Sequence, residues 1–295
     1  MIASLGFTWG GTFLIIEIAL EGITPFWLAA SRITFGAALT VLVWQLRGGK
    51  LFEARLEPPE RRALVVIGLL SSAIPFMLLS WGQQFVTSGF AGVSMASVPL
   101  IVLPLAHFFV PGERMSWRRF LGFAAGFAGV VMLIGGQALN SSGAVFEMPG
   151  RIACVGAAGC YAISSVMMRR LPAVNPIGLS AVLLLIGAAG VIPAALIVEG
   201  PPPALDGRTL AAVAGLGLIP TAAANLLRVA VVRTAGPVFM SLVNFQVPVW
   251  SVLLGALILS EALPGSLIWA MLLILAGVGL SQYGALRRLF ARRPA

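Results

Sequence analysis

Apolar residues run along this 295-residue chain in long blocks, with neither the alternation of a half-buried strand nor the stripe of an amphipathic helix. Blocks bounded by charge, proline or glycine fall near 3–20, 25–45, 63–84, 88–109, 118–137, 152–168, 176–198, 209–230, 235–259 and 265–284. Each is close to the ~20 residues an α-helix needs to cross the hydrocarbon of a bilayer. The pattern predicts an all-α integral membrane protein of ten transmembrane helices with short connections, leaving no stretch for a soluble domain.

Composition agrees: 59% of residues are hydrophobic and 10% charged, against roughly 25% charged in soluble domains. The net charge of +9 would point to nucleic acid in a soluble protein, but here its placement matters more than its sum. Arg47, Lys50, Arg55, Arg61 and Arg62 separate runs two and three; Arg114, Arg118 and Arg119 separate four and five. Arg169 and Arg170 follow run six, Arg228 and Arg233 mark the end of eight, and Arg287, Arg288, Arg292 and Arg293 follow ten. These alternate connections hold 16 of the 19 basic residues; the opposite side has Arg151 and Arg208, and Arg32 lies inside a run. So strong a positive-inside bias puts both termini in the cytoplasm and requires an even number of spans. The first run has neither a basic n-region before it nor a small-residue cleavage site after it, so it is expected to be a retained span. Cys154 and Cys160, six apart in one apolar run, fit neither a disulfide framework nor a metal site and read as packing residues.

The chain also repeats itself. TWGGTFLIIEIALEGITPF from Thr8 aligns with GCYAISSVMMRRLPAVNPI from Gly159, pairing Pro25 with Pro176 at an offset of 151. FAGVSMASVPLIVLPLAHFFVPGE aligns with FMSLVNFQVPVWSVLLGALILSE, pairing Phe90 with Phe239 and Pro99 with Pro248 at 149. Glu113 then pairs with Glu261, and Gly129 with Gly277, at 148. Units of five spans, an odd number, must enter the membrane from opposite sides, so this is an inverted-topology duplication with a substrate site expected near the midplane. Glu113 sits among basic residues and Glu261 in a connection free of Lys and Arg, as inversion requires.

On these residues the sequence resembles the EamA family of the drug/metabolite transporter superfamily. The likeness is carried by Trp9-Gly10-x-x-Phe13, by Ala29-Ala30-x-Arg32, and by Pro99, Glu113, Gly122 and Gly129, the last run returning as Pro248, Glu261 and Gly277. It covers essentially the whole chain, with units at 5–136 and 153–282, and within the family is greatest to bacterial YddG-type exporters of aromatic amino acids. The resemblance implies a monomeric ten-helix secondary transporter of the bacterial inner membrane that exports small metabolites. One departure stands out: Cys160-Tyr161 occupy the second copy where the first has Trp9-Gly10.

Candidate transport residues fall into four groups. Gly10, Gly11, Pro75, Pro99, Pro220 and Pro248 break helical regularity and are expected to act as bending points beside a cavity, though any one could be an ordinary kink. Thr12, Gln84, Ser94, Ser164, Asn225, Asn244 and Gln246 are polar at membrane depth and are expected to line the cavity, against a plainer reading as interhelical hydrogen bonds. Trp27, Trp44, Trp81, Trp117 and Trp269 read as membrane-face anchors, Trp81 doubling as a cavity wall, whereas mid-span Trp9 and Tyr161 are expected to form a stacking wall for a flat side chain. Glu17 and Arg32 lie at matching depth across a hairpin and are expected to form an ion pair; the alternative is that Arg32 receives a substrate carboxylate. His107 reads as a helix-end residue.

No acidic or histidine cluster could ligate a metal or activate a nucleophile, and no phosphate-binding loop is present, so neither catalysis, a cofactor nor ATP-driven pumping is expected. The expected function is secondary export of small metabolites by alternating access, amino acids first, aromatic and other neutral ones with broad specificity. The expected partners are that substrate and the bilayer, not nucleic acid. Efflux of drug-like or nucleotide-type metabolites is the nearest alternative; a lipid enzyme or a channel lies further off.

Overall fold

The computed structural model describes residues 1–48, 51, 57–110, 112–135, 146–172, 174–227 and 243–291, the side chains of 285, 286 and 288–291 excepted. Lys50, Arg55, Arg228, Arg233, Phe239, Arg292 and Arg293 lie outside these residues, as do position 136 and the start of the ninth run. The described residues contain no strand ladder. Among the described residues, nine helices are long and apolar enough to cross a membrane: α1 (Ile2–Leu20), α2 (Pro25–Leu46), α3 (Pro58–Gly82), α4 (Ser88–Phe109), α5 (Trp117–Gly135), α6 (Glu147–Met168), α7 (Pro176–Glu199), α8 (Gly207–Leu227) and α10, whose apolar part is Gly265–Gly284 and which continues to Ala291. Between the last two lies a shorter apolar helix, α9 (Val243–Ile258).

The helix starts follow local chemistry. Proline begins α2, α3 and α7, where a missing N–H costs nothing. Asn175 accepts from the N–H groups of Ile177 and Gly178 at 3.0 and 3.2 Å, and Asp206 from Thr209 N–H at 2.8 Å. The Thr209 bonds hold the Asp206 carboxyl below its ordinary range, so this cap persists at neutral pH and is lost as pH falls. The α3 helix begins earlier than its apolar run because Glu57 and Glu60 form a reciprocal capping box ahead of it. Two caps come from distant chain. Glu199, at the end of α7, accepts from Phe26 N–H (2.9 Å), Trp27 N–H (3.1 Å) and the Thr24 hydroxyl (2.5 Å) at the start of α2. Glu261 accepts from Ser88 N–H (2.8 Å) and Gly89 N–H (3.1 Å) at the start of α4. A carboxylate satisfies orphan amides and meets the positive end of the helix dipole. Glu199→Ala is therefore expected to destabilise the protein by about 2 kcal/mol, read as a lower unfolding midpoint in detergent; an unchanged midpoint would show that the cap contributes nothing.

Packing pairs α5 with α10, α2 with α7, α4 with α9, α1 with α9, α4 with α6, α3 with α6, α1 with α8, α2 with α8 and α3 with α7. Exchanging each of the first five helices with the one five places later converts every pair into itself or into another pair of this set. Two large apolar cores result, with smaller clusters around Leu5 and around Ile67. One gathers Phe13, Phe90, Leu100, Leu133, Val252 and Ile274; the other gathers Ile16, Leu28, Ile33, Phe76, Leu184 and Leu216. Tyr161 packs against both.

Among the described residues, three spans depart from α geometry. The α3 helix widens to a π turn over Leu69–Ala73 and α8 over Gly217–Ala223, segments that begin 148 residues apart. Pro75 follows the first and Pro220 lies inside the second; a proline removes an i→i−4 bond and crowds the preceding turn, which a wider turn relieves. The α4 helix is interrupted at Ala96–Ser97, where the bonds Ala96 N–H to Val93 and Ser97 N–H to Ser94 tighten the turn ahead of Pro99. By contrast α9 runs unbroken through Pro248, and α1 through Gly10 and Gly11. What Gly10 provides here is proximity: a Cβ on it would lie 2.9 Å from the Val247 carbonyl of α9.

Candidate functional site at the junction of the two cores

The residues that converge between the cores come from α1, α2, α3, α6 and α8. Arg32 of α2 is 7% exposed. Its Nε donates to the Thr221 hydroxyl at 2.8 Å, and its guanidinium lies 4.1 Å from the centre of the Phe76 ring. The Tyr161 phenol is near enough to interact with its charge. Thr221 in turn donates to the Leu216 carbonyl at 2.8 Å, an i→i−5 contact that exists because the π turn opens the helix. Trp9 Nε1 donates to the carbonyl of Pro220, in the same turn, at 3.0 Å across 211 residues. Close approach of α2 and α8 is built into the backbone: a Cβ on Gly217 would lie 2.7 Å from the Arg32 carbonyl.

The expected Glu17–Arg32 ion pair is not formed. Residues at equal depth need not face one another, because each helical step turns the side chain by about 100°. Ile16 and Ala19 point into the core shared with α2, which swings Glu17 toward the end of α3 and the start of α4. Arg32 instead meets Thr221 and Phe76, and among the described residues no carboxylate approaches it; the ion pairs found are Arg119–Glu113, Arg169–Glu113, Arg151–Glu147 and Arg208–Glu21.

The other candidates divide. Trp9 and Tyr161 fall at the junction, as does Asn225, whose amide donates to the Thr221 carbonyl at 2.6 Å. Thr12, Ser94 and Ser164 donate within their own helices, to Thr8, Phe90 and Tyr161 carbonyls at 2.9–3.0 Å, so their protons are already engaged. Gln84 is exposed in the turn after α3; its neighbour Gln83 is the buried amide, donating through Nε2 to the Phe13 carbonyl at 2.9 Å. Asn244 is exposed, and Gln246 packs on Gly6 of α1. Trp81 stands edge-on to Phe85 at the end of α3, away from Arg32. Trp117 and Trp269 are exposed as surface anchors should be, but Trp27 is buried, its indole N–H donating to the Gly200 carbonyl at 3.0 Å. His107 accepts from Met115 N–H at 3.2 Å beyond the end of α4. Thr221, Phe76 and Gln83 are the junction and core residues that the sequence pattern does not single out. Glu199 and Glu261 carried a readable signal, each an acid at a span end followed by a proline within three residues.

The EamA-like transporter family model matches residues 1–135 and 148–282. The chain belongs to this family. It is 30% identical over 287 residues to the uncharacterized inner membrane transporter YedA of Escherichia coli K12, covering 91% of this chain and 87% of that one. It is 25% identical over 292 residues to the uncharacterized transporter YoaV of Bacillus subtilis, covering 97% of each. Over 139 residues, 46% of this chain and 45% of the relative, it is 28% identical to a probable terminal-alkyne amino-acid exporter of Streptantibioticus cattleyicolor. A solved crystal structure 25% identical in sequence matches 96% of this chain and 97% of that chain with a TM-score of 0.66. This EamA-like protein is a multi-pass transporter of the bacterial inner membrane, and the Arg32 junction is its candidate substrate site.

Proposed function

We propose that the protein exports small carboxylate-bearing metabolites, amino acids first, and that the carboxylate docks on Arg32. The observation that carries this reading is a buried guanidinium with no acidic partner among the described residues. An ionised group at membrane depth is costly unless paired or hydrogen-bonded, and a planar fork whose Nε is already anchored offers its terminal amino groups to a planar anion. Phe76, Tyr161 and Trp9 supply apolar and aromatic walls for a side chain, as small-molecule sites commonly do, which favours aromatic and other neutral amino acids and a broad range of them. The relative named a probable terminal-alkyne amino-acid exporter supports the same class.

The working unit in this proposal is a monomer of two opposed five-helix halves, 5–136 and 153–282. The π turns before Pro75 and around Pro220, the break before Pro99, and Pro248 are the bending points of alternating access. The test is counterflow in proteoliposomes with unlabelled competitors. Phenylalanine is expected to compete and saturate, and its carboxamide, which keeps ring and amine, is expected to lose most of that competition. Equal competition by both would remove the carboxylate from the mechanism, and preference for the amine-only ligand would favour cationic drug efflux. Trp9→Ala with Tyr161→Ala is expected to change the ranking of aromatic over aliphatic competitors by roughly fivefold or more, from the ~1 kcal/mol or more of an aromatic contact; an unchanged ranking would return both residues to packing.

A further inference from the structure

Two carboxylates tie one EamA-like unit to the other on the face that the charge pattern assigns to the outside. Glu199 holds the start of α2, and Glu261 holds the start of α4. They differ in what happens at the opposite face. The α2 and α7 helices are fastened there too: Asn175 N–H donates to the Leu51 carbonyl at 2.9 Å, and a Cβ on Gly178 would lie 2.6 Å from Trp44 Nε1. The α4 helix is joined to α9 near the outer face alone. Its first segment, Ser88–Met95, packs on α9 and α1 as well as on α6. A Cβ on Gly89 would lie 3.6 Å from Val252 Cα, and one on Gly92 would meet the Ser251 side chain. Beyond the break at Ala96–Ser97 the neighbours change. Among the described residues, Val98–Phe109 packs on α5, α6 and α10 in place of α9 and α1. Thus α2 and α7 are clamped at both faces, whereas α4 and α9 meet at one and part toward the other.

We propose that Glu261 is the latch of an outer gate. Its carboxylate bolts the first turn of α4 to the α9–α10 connection, and substrate leaves after Ser88–Met95 swings away from α9 about the Ala96–Ser97 break. This rests on alternating access as read above, and not on which metabolite is carried. A contact that closes one face of a carrier must break when that face opens, which a pair clamped at both faces does not do. The bonds suit reversible closure. A carboxylate on two helix-start amides is charge-assisted and meets the positive end of the dipole, and at the outer surface water replaces both partners on opening. The hinge is satisfied within itself: the Ser94 carbonyl accepts from Ser97 N–H at 3.1 Å and from the Ser97 hydroxyl at 2.6 Å. The repeat gives Glu261 a counterpart, as a gate with two faces requires. Glu113, 148 residues earlier, stands at the inner face, where it holds Arg119 at 3.1 Å and Arg169 at 3.3 Å with 37% of its side chain exposed. Glu199 has no such mate, since the offset of 151 that relates Pro25 to Pro176 leads to Gly48. The structure shows the outer gate shut.

The latch is tested without substrate by double electron–electron resonance on the protein in nanodiscs. Cys154 and Cys160 are replaced by alanine, and spin labels are attached through Gln84→Cys and Leu263→Cys, both at exposed outer positions. A dominant short distance is expected with Glu261 in place. Glu261→Ala is expected to raise the ratio of a longer-distance population to the short one by roughly tenfold or more. Glu261→Gln, which keeps one acceptor, is expected to raise it less, and it carries the same comparison if the alanine variant does not fold. Glu113→Ala, at the other face, is expected not to lengthen this distance. The transport arm uses Gly89→Cys with Val252→Cys, which a disulfide joins across the gate. Oxidation is expected to slow amino-acid counterflow by roughly tenfold or more, and a reductant to restore it. Unchanged distances in Glu261→Ala and Glu261→Gln, equal lengthening in Glu113→Ala, or undiminished counterflow by the cross-linked protein would overturn the proposal. If no amino acid is exchanged, the export reading fails while the distance populations still decide the latch.

Discussion

Arg32→Gln is expected to raise the half-saturation concentration for a transported amino acid by roughly 30- to 150-fold, the equivalent of the ~2–3 kcal/mol that a hydrogen bond to a charged group contributes. The variant is also expected to abolish discrimination between an amino acid and its carboxamide. Arg32→Lys keeps the charge but has no Nε to donate to Thr221 and no plane to lie on Phe76, so an intermediate loss is expected. Stability is expected to move the other way. A buried guanidinium without an acidic partner costs desolvation, and the neutral amide lightens that cost, so the unfolding midpoint of Arg32→Gln should hold or rise. A residue kept for packing would show the reverse: a lowered midpoint with discrimination intact. Both readings come from the same purified protein, by counterflow competition and by thermal unfolding.

Gly277→Leu is expected to destabilise the protein by about 3 kcal/mol or more, through overpacking. The α5 and α10 helices touch backbone to backbone where Gly122 and Gly126 face Gly277: a Cβ on Gly277 would lie 2.5 Å from the Gly122 carbonyl and from Gly126 N. Neither partner is a flexible side chain, so accommodation requires the helices to separate. In a bilayer such close approach of small residues is itself the attraction, because lipid provides no hydrophobic drive between helices. Two positions along the same helix, Gly279 has only Phe245 Cε1 within reach, at 3.8 Å, so Gly279→Ala should leave the midpoint within a few tenths of a kcal/mol or raise it slightly. Equal losses at the two glycines would mean that the α5–α10 contact is not what positions them.

The ten spans were legible because membrane thickness imposes a length and the positive-inside rule a sign on every connection, and both survive without knowing any contact. The repeat was legible where it lies in framework residues such as Gly129 and Gly277, which both turn out to serve the α5–α10 crossing. Depth along a span could be read; direction around it could not. That is why depth alone pairs Glu17 with Arg32 and singles out Gln84, whereas the buried amide belongs to Gln83, about 100° away. The π turns were hidden for a related reason. They are a change of hydrogen-bond partner, and composition carries only the prolines beside them. Thr221, Phe76 and the Pro220 carbonyl matter through contacts made across the bundle, so nothing in their own segments sets them apart.

The two widened turns begin 148 residues apart, the same spacing that relates Glu113 to Glu261 and Gly129 to Gly277. The prolines that accompany them do not keep this spacing: Pro75 stands after one turn and Pro220 inside the other. The widened turn is thus a feature of the third helix of each half rather than of one proline position, so each half carries one place where its ladder of hydrogen bonds changes step.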